Sequence, residues 1–198
     1  MPLRPLLAGS APERRRRGLA LAFGPDGHPL SVLEVRRHTE RGATGVITER
    51  GIAAARALAG TSYALVVSSP LERAKRTAEL IGGRLDGTEP GLLPDIGGAG
   101  IYGDMSALAD WRRLLREDPQ SRAVAEEQLE TWSRLMSRVG PKDTVLAISH
   151  GGIIELPIVA LSQRLGTVLT GPAFDFLEGA RITYDKTGPK KIEVLRAT

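Results

Sequence analysis

Short apolar runs alternate along this chain with longer segments in which apolar residues recur every three or four positions. The runs at residues 30–35, 64–67 and 145–148 have the length and the β-branched content of buried strands. The first run is followed by a segment with helical spacing that starts near Thr48, and the second by one that starts near Ser69. This alternation predicts an α/β fold with a mostly parallel central sheet and helices on both faces.

Two pairs of apolar runs predict hairpins at the ends of the domain. Residues 19–23 and 30–35 flank a turn-rich linker, and residues 180–184 and 191–195 flank a Lys-Thr-Gly-Pro turn. Each pair has the spacing of two antiparallel strands.

A long irregular segment and two helical segments separate the second and third strand runs. Residues 84–103 are rich in Gly and Pro and show no period, which predicts a functional loop. Residues 106–116 and 121–139 have helical spacing. They predict a helical insertion near 105–139, and the loop and the helices together, residues 84–139, predict a cap over the substrate.

Length and composition fit one folded domain preceded by a basic arm. The chain has 198 residues, 41% hydrophobic and 25% charged, which is the balance of a globular protein. We expect residues 1–18 to form a flexible arm and residues 19–198 a single domain. The net charge of +4 equals that of the arginine run 14–17 in the arm. Such runs are more often solvated tails than binding sites, so we expect neither nucleic acid nor a membrane as partner.

Composition also bears on the compartment. No apolar run approaches the roughly 18 residues of a membrane span. The chain has no cysteine, which rules out disulfides and thiolate metal sites and favours the cytoplasm.

The candidate chemistry lies directly after the three strand runs. Arg37 and His38 follow the first, Arg73 follows the second, and His150 with Gly151 follows the third. The carboxyl ends of parallel strands meet at one edge of a sheet, so these residues are expected to converge. Guanidinium groups bind phosphate oxygens through forked donors, and a neutral imidazole can attack phosphorus. The pattern therefore indicates a phosphate site.

Two histidines at strand ends also suggest a metal site. The neighbouring arginines disfavour a cation, and no third ligand recurs at metal-binding spacing. We expect no metal and no cofactor.

Four motifs together resemble those of the histidine phosphatase superfamily, also called phosphoglycerate mutase-like. In chain order, Arg37-His38 is similar to its Arg-His-Gly, residues 47–51 to its Leu-Thr-x-x-Gly, residues 69–74 to its Ser-Pro-Leu-x-Arg-Ala, and residues 149–152 to its second histidine motif. The resemblance runs from about residue 30 to residue 195. It implies a three-layer α/β sandwich and a phosphatase activity.

The resemblance also implies roles for the residues at the strand ends. His38 would be the nucleophile that becomes phosphorylated, and water would then hydrolyse the phosphohistidine. Arg37, Arg73 and His150 would bind the phosphoryl oxygens and stabilise their transfer.

A general acid should protonate the leaving oxygen, and the family usually draws this carboxylate from the loop after the second helix. Asp95, in Leu-Pro-Asp, is most similar to the family's Leu-x-Glu. Glu89 and Asp104 remain alternative donors in the same region.

Two threonines depart from the family pattern. Thr39 stands where the family has glycine, and Thr44 where many relatives carry a phosphate-binding asparagine. We expect Thr39, Thr44 and Gly151 to contact the substrate. The short segment after His38 disfavours mutase activity.

These inferences favour a metal-independent phosphomonoesterase that acts on a phosphorylated small molecule. Two alternatives stay open: a protein phosphohistidine phosphatase, favoured by the short first loop, and an inactive relative that binds phosphorylated ligands. The substrate and the oligomeric state are undetermined, although the terminal hairpin could mediate a homodimer.

Overall fold

The computed structural model describes residues 30–93 and 105–197, and one six-stranded sheet organises them. The strands are β1 (Ser31–Arg37), β2 (Leu65–Ser68), β3 (Gly87–Thr88), β4 (Thr144–Ser149), β5 (Gly179–Asp185) and β6 (Gly188–Leu195). The helices are α1 (Glu49–Ala57), α2 (Glu72–Gly82), α3 (Leu108–Glu117), α4 (Pro119–Met136) and α5 (Glu155–Arg164), with a 3₁₀ turn at Pro90–Leu92. No helix in these two segments is both long enough and apolar enough to cross a bilayer.

The sheet is mostly parallel, as the sequence predicts. Its order is β3-β2-β4-β1-β5-β6, with the first four strands parallel and the last two antiparallel to their neighbours. Helices α1 and α2 pack on one face, and α3, α4 and α5 pack on the other. The predicted three-layer α/β sandwich is confirmed, and so is the terminal hairpin, which is β5–β6.

The sheet has a hydrophobic core on each face, and the central strand β4 contributes side chains to both. Val145 and Ala147 point into the larger core, while Leu146 and Ile148 point into the smaller one beneath α1 and α2. A strand that is covered on both faces has no polar side to alternate with, which is why its sequence is a continuous apolar run.

Strand β1 carries two buried charges toward the smaller core. Arg36 Nε donates to Glu34 Oε1 at 2.7 Å, and Arg181 and Tyr63 donate to the same carboxylate. Burial raises the pKa of Glu34, but the two arginines outweigh it and leave the pKa below its ordinary value. Arg36 also donates to the carbonyl of Leu177 at 2.6 Å, which ties the loop before β5 to the end of β1.

The hairpin expected between residues 19–23 and 30–35 is wrong. Strand β1 pairs with β4 along one edge and with β5 along the other, so it has no free edge for a third partner. Residues 19–23 themselves, like the arm at 1–18, lie outside the described residues.

The two helices of the predicted insertion are present, but they form a layer of the fold. Trp111 of α3 and Trp132 of α4 are buried in the larger core together with residues of the central strands. This packing makes α3 and α4 part of the structural core. The role of residues 84–139 as a cap stays a prediction. The middle of the predicted cap, residues 94–104, lies outside the described residues.

We predict that Gly179 at the start of β5 is required for stability, whereas Gly87 in β3 is not. A Cβ atom on Gly179 would lie 2.0 Å from the carbonyl oxygen of Val35, but one on Gly87 would meet no atom within 4 Å. Gly179→Ala should therefore reduce the free energy of unfolding by about 3 kcal/mol, and Gly87→Ala should change it by about 1 kcal/mol or less. Urea unfolding of both variants measures the difference. Equal midpoints would contradict the close approach of β5 to β1.

Candidate active site

Three adjacent strands end at the same edge and bring the predicted residues together. Arg37 of β1 is paired in register with Ser149 of β4, and the next residue, His38, donates its backbone N–H to the Ser149 carbonyl at 2.9 Å. His150 follows Ser149 directly. Arg73 lies in the first turn of α2, just beyond β2 on the other side of β4.

The hydrogen bonds of His38 determine which ring nitrogen carries the proton. Nδ1 lies 2.7 Å from the carbonyl oxygen of Thr39, and because a carbonyl only accepts, Nδ1 must be the protonated nitrogen. Arg73 Nε donates to His38 Nε2 at 3.0 Å, so Nε2 holds a lone pair. Burial and the charges of the nearby arginines lower the pKa of His38 to about 4. The hydrogen bond to the Thr39 carbonyl acts in the opposite direction, because it favours the charged form of the ring. His38 is therefore neutral at pH 7.

The second histidine packs against the first and is neutral for similar reasons. The ring centroids of His38 and His150 are 5.1 Å apart in an edge-on arrangement. Arg73 Nη2 lies 3.4 Å from His150 Nδ1, and His150 Nε2 lies 2.6 Å from Ser69 Oγ, so the Nε2 proton is donated to the serine. Burial, His38 and the arginines lower the pKa of His150 to about 3.

Arg37 packs closely against two neighbours. Its guanidinium lies 4.4 Å from the ring centroid of Phe176. Gly151 approaches so closely that a Cβ atom there would lie 2.8 Å from Arg37 Cζ. Nη1 donates to the Phe174 carbonyl at 2.7 Å, while Nε is buried and has no hydrogen-bond partner within the described residues. Gly151 is thus positioned as packing for Arg37.

A third cation lies near the histidines. The charge of Arg41, an exposed residue of the loop after His38, acts on the pKa of both His38 and His150 and on that of Arg73. Its guanidinium makes no hydrogen bond or ion pair to any residue that the structure describes. In the sequence, Arg41 is distinguished only by its position three residues after His38, and that position matches no motif.

The predicted threonines occupy different environments. Thr39 is fully buried, its hydroxyl donates to the Gly51 carbonyl at 2.8 Å, and its carbonyl fixes His38. Thr44 is exposed in the turn of the loop, away from the buried histidine pair. Contact of either side chain with substrate stays a prediction.

Of the three candidate acids, Glu89 is described by the structure. Asp95 and Asp104 lie outside the described residues. The Glu89 carboxylate accepts from the Gly91 N–H at 3.3 Å and is 3.9 Å from Arg134 of α4. These contacts give Glu89 a capping role at the 3₁₀ turn.

Both described ends of the 94–104 segment are attached beside the histidines. The Leu92 carbonyl accepts from Ser149 Oγ at 2.7 Å, next to His150. On the far side, the Ser106 carbonyl accepts from the Ala173 N–H at 2.9 Å, next to the loop that holds Arg37.

Three residues of the site have roles that the sequence did not reveal. Ser69 precedes α2, which begins at Glu72, and its hydroxyl accepts from His150 Nε2. Phe176 lies beside Arg37 and His38. Glu155, the first residue of α5, is a buried carboxylate that accepts from two backbone N–H groups of neighbouring loops. Ser69 belongs to the motif at 69–74, but the motif does not indicate its bond to His150, and no motif includes Phe176 or Glu155.

Solved structures with the same fold come from several enzymes. A phosphoserine phosphatase from Entamoeba histolytica is 17% identical with a TM-score of 0.60, and the match covers 85% of this chain and 98% of the other. A mycobacterial glucosyl-3-phosphoglycerate phosphatase is 18% identical with a TM-score of 0.58, covering 86% and 100%. A phosphoglycerate mutase from Bacillus anthracis is 15% identical with a TM-score of 0.56, covering 85% and 93%. At these identities the likeness establishes the fold.

Sequence comparison establishes the family. Curated proteins yield no match to this chain. A family profile described as histidine phosphatase superfamily (branch 1) matches residues 36–169, which is more than half of the chain and includes both histidines and both arginines at the strand ends. The chain belongs to branch 1 of the histidine phosphatase superfamily.

Proposed function

We propose that this protein is a phosphomonoesterase that hydrolyses phosphorylated small molecules through a phosphohistidine at His38, without a metal ion. The observation that carries the proposal is the state of His38. Its Nδ1 proton is committed to the Thr39 carbonyl, and its Nε2 lone pair faces the guanidinium of Arg73. A neutral imidazole beside bound cations is the arrangement that attack on a phosphate ester requires.

The first step forms a nitrogen–phosphorus bond. Nε2 of His38 attacks phosphorus as the ester phosphorus–oxygen bond breaks, and the leaving oxygen takes a proton from Asp95. Arg37 and Arg73 bind the other phosphoryl oxygens, where negative charge is concentrated. His150 joins them when its Nε2–H turns from Ser69 to a phosphoryl oxygen, which is the stronger acceptor. Arg73 Nε exchanges its neutral acceptor on His38 for a charged phosphoryl oxygen, which is the stronger hydrogen bond.

The second step restores the enzyme. Asp95, now a carboxylate, takes a proton from water as the water oxygen attacks phosphorus. The nitrogen–phosphorus bond breaks, and its electron pair returns to Nε2 of His38. Inorganic phosphate leaves, and both residues have their original protons.

The charge of the site supports an anionic substrate, and the related structures support its size. Arg37, Arg41 and Arg73 all act on the pKa of the histidine pair. Phosphoserine and glucosyl-3-phosphoglycerate, named with two of the related phosphatases, are small phosphorylated molecules.

A phosphohistidine on another protein is the second candidate substrate. The loop after His38 is closed on itself by the hydrogen bond from the Gly42 N–H to the Val46 carbonyl at 2.8 Å and by the pairing of Arg41 with Ile47. A loop this compact favours access by a large substrate. Hydrolysis of a phosphohistidine peptide in preference to every small ester would select this candidate.

We predict that His38→Ala abolishes both hydrolysis and covalent labelling. The substitution removes the attacking nitrogen, so release of nitrophenol from 4-nitrophenyl phosphate should fall by at least about a thousandfold. Mass spectrometry of the protein quenched in alkali, where phosphohistidine survives, should find the phosphoryl group on His38 of the wild type. His28→Ala is the matched control, because it removes a histidine outside the site motifs. Full activity in the His38 variant would refute the mechanism.

The general acid can be identified by comparing how its substitution changes kcat/KM on phosphate esters with different leaving groups. An alkyl alkoxide needs a proton to leave and nitrophenolate does not. Asp95→Asn should therefore lower kcat/KM on an alkyl phosphate by about a hundredfold or more while changing that on 4-nitrophenyl phosphate far less. Glu89→Gln and Asp104→Asn are the comparison variants. Selective loss in one of these two would transfer the role to that residue.

The ionisation of the nucleophile can be measured directly, because the chain has only three histidines. The folded-state pKa of His38 is about 4 and that of His150 about 3, so both should stay neutral as the pH falls from 7 to 5. An NMR titration should show two imidazoles that do not titrate in this range, assigned with His150→Asn. Titration of both near the ordinary pKa of 6.5 would contradict the buried, neutral pair.

A further inference from the structure

Glu155 is a buried carboxylate to which the mechanism above assigns no part. It is 1% exposed and lies five positions after His150 in the chain. Its Oε2 accepts from the Gly152 N–H at 2.8 Å, and its Oε1 accepts from the Phe174 N–H at 3.2 Å. One side chain therefore bridges two loops that are far apart in the sequence.

The two bridged loops are the ones that enclose Arg37. Gly151, the residue before Gly152, packs against the guanidinium, and the ring of Phe176 lies 4.4 Å from Arg37 Cζ. The Phe174 carbonyl accepts from Arg37 Nη1 at 2.7 Å, while the N–H of the same residue donates to Glu155. Arg37 and Glu155 thus bind the carbonyl and the N–H of the same residue, Phe174.

A buried carboxylate at this position is costly unless it is bound. Burial raises the pKa of Glu155 to about 7, and the two backbone donors together with the charge of Arg37 act in the opposite direction. Any residue that fills space could pack the start of α5. A carboxylate is distinctive because each of its two oxygens can accept an N–H at the same time.

We propose that Glu155 is a positioning residue, which holds the Gly152 and Phe174 loops at the separation that fixes the Arg37 guanidinium for binding phosphoryl oxygen. The proposal rests on the proposed function, in that Arg37 is taken to bind the phosphoryl group. Glu155 acts through Arg37 and does not itself contact the substrate.

Charge and geometry give opposite expectations for Glu155→Gln, which makes this variant informative. At a pH of about 8.5, above the Glu155 pKa of about 7, the carboxyl is ionised, and loss of its negative charge near Arg37 would by itself strengthen binding of an anion. Loss of the bridge would weaken it, because glutamine keeps one acceptor oxygen and turns an N–H₂ group toward the other backbone donor. Weaker binding therefore identifies the bridge as the dominant role.

The test measures binding of inorganic phosphate by calorimetry and the kinetics of 4-nitrophenyl phosphate hydrolysis. Glu155→Gln should raise the Kd of phosphate and the KM of the ester by about tenfold, the effect of one lost hydrogen bond in a binding site. An unchanged or lower Kd in this variant would overturn the proposal. Because phosphate binding is measured without turnover, absence of hydrolysis in the wild type would count against the proposed function alone.

Glu178→Gln is the matched control for loosening the same loop. Glu178 is also a buried carboxylate, and it accepts from the Asp175 N–H at 3.0 Å and from Arg196, but among the described residues it makes no hydrogen bond to Gly152. This variant should lower the melting temperature and change the phosphate Kd by less than about twofold. A Kd raised as much as in Glu155→Gln would show that the bridge to Gly152 is unnecessary and would overturn the proposal.

A double-mutant cycle tests whether the effect passes through Arg37. Lysine has no planar group for the two loops to enclose, so Arg37→Lys should weaken phosphate binding by itself. Adding Glu155→Gln in that background should change the Kd by less than about twofold, since coupled residues are not additive. The same tenfold change in both backgrounds would separate Glu155 from Arg37 and refute the positioning role.

Discussion

The hydrogen bond from the His38 N–H to the Ser149 carbonyl is the constraint on which the site depends. It continues the parallel pairing of β1 and β4 by one residue past the end of the strands. Parallel strands in register end together, so His38 and His150 are side by side without any contribution from the loops that follow them. The neighbouring strand β2 adds Ser69 and the start of α2 at the same edge. The sheet therefore places the two histidines side by side, and further hydrogen bonds from residues beyond the strands determine which nitrogen of each ring is protonated.

The site contains cations and neutral imidazoles, and the buried carboxylate of Glu155 binds two of its loops. Burial works against a charged histidine, and so do the arginines, which is why the two rings stay neutral at a pH where exposed histidines are partly charged. The same arginines have few acceptors among the described residues. There the Arg73 guanidinium donates only to the two histidines, and the Arg37 guanidinium donates to one carbonyl. Their remaining donor capacity suits a dianion.

The sequence predicts the frame of this protein better than the contacts within it. Apolar runs identified β1, β2 and β4 because strands covered on both faces have few polar residues. β3 has only two residues, too few to give a pattern, and it lies within the segment that the sequence predicts to be a loop. The four strand-end residues could be found because they follow those runs directly. Phe176 and Glu155 could not, since Phe176 lies beside Arg37 only after β5 has paired with β1, and Glu155 bridges loops joined by no local rule. The place of α3 and α4 in the larger core could not be predicted for a related reason: helical spacing does not say which layer a helix covers.

The attachments of the 94–104 segment separate two properties of the enzyme. One end is fixed by Ser149 and the other by Ala173, and both anchors belong to the framework that also orients the histidines and Arg37. His38 and the neighbouring arginines, in contrast, have no described hydrogen bond that depends on the residues between these anchors. Under the proposed function, changes of length or composition there would accumulate through evolution, or be grafted by an engineer, while the phosphorus chemistry is inherited intact. A lineage would then exchange substrates without rebuilding its catalyst.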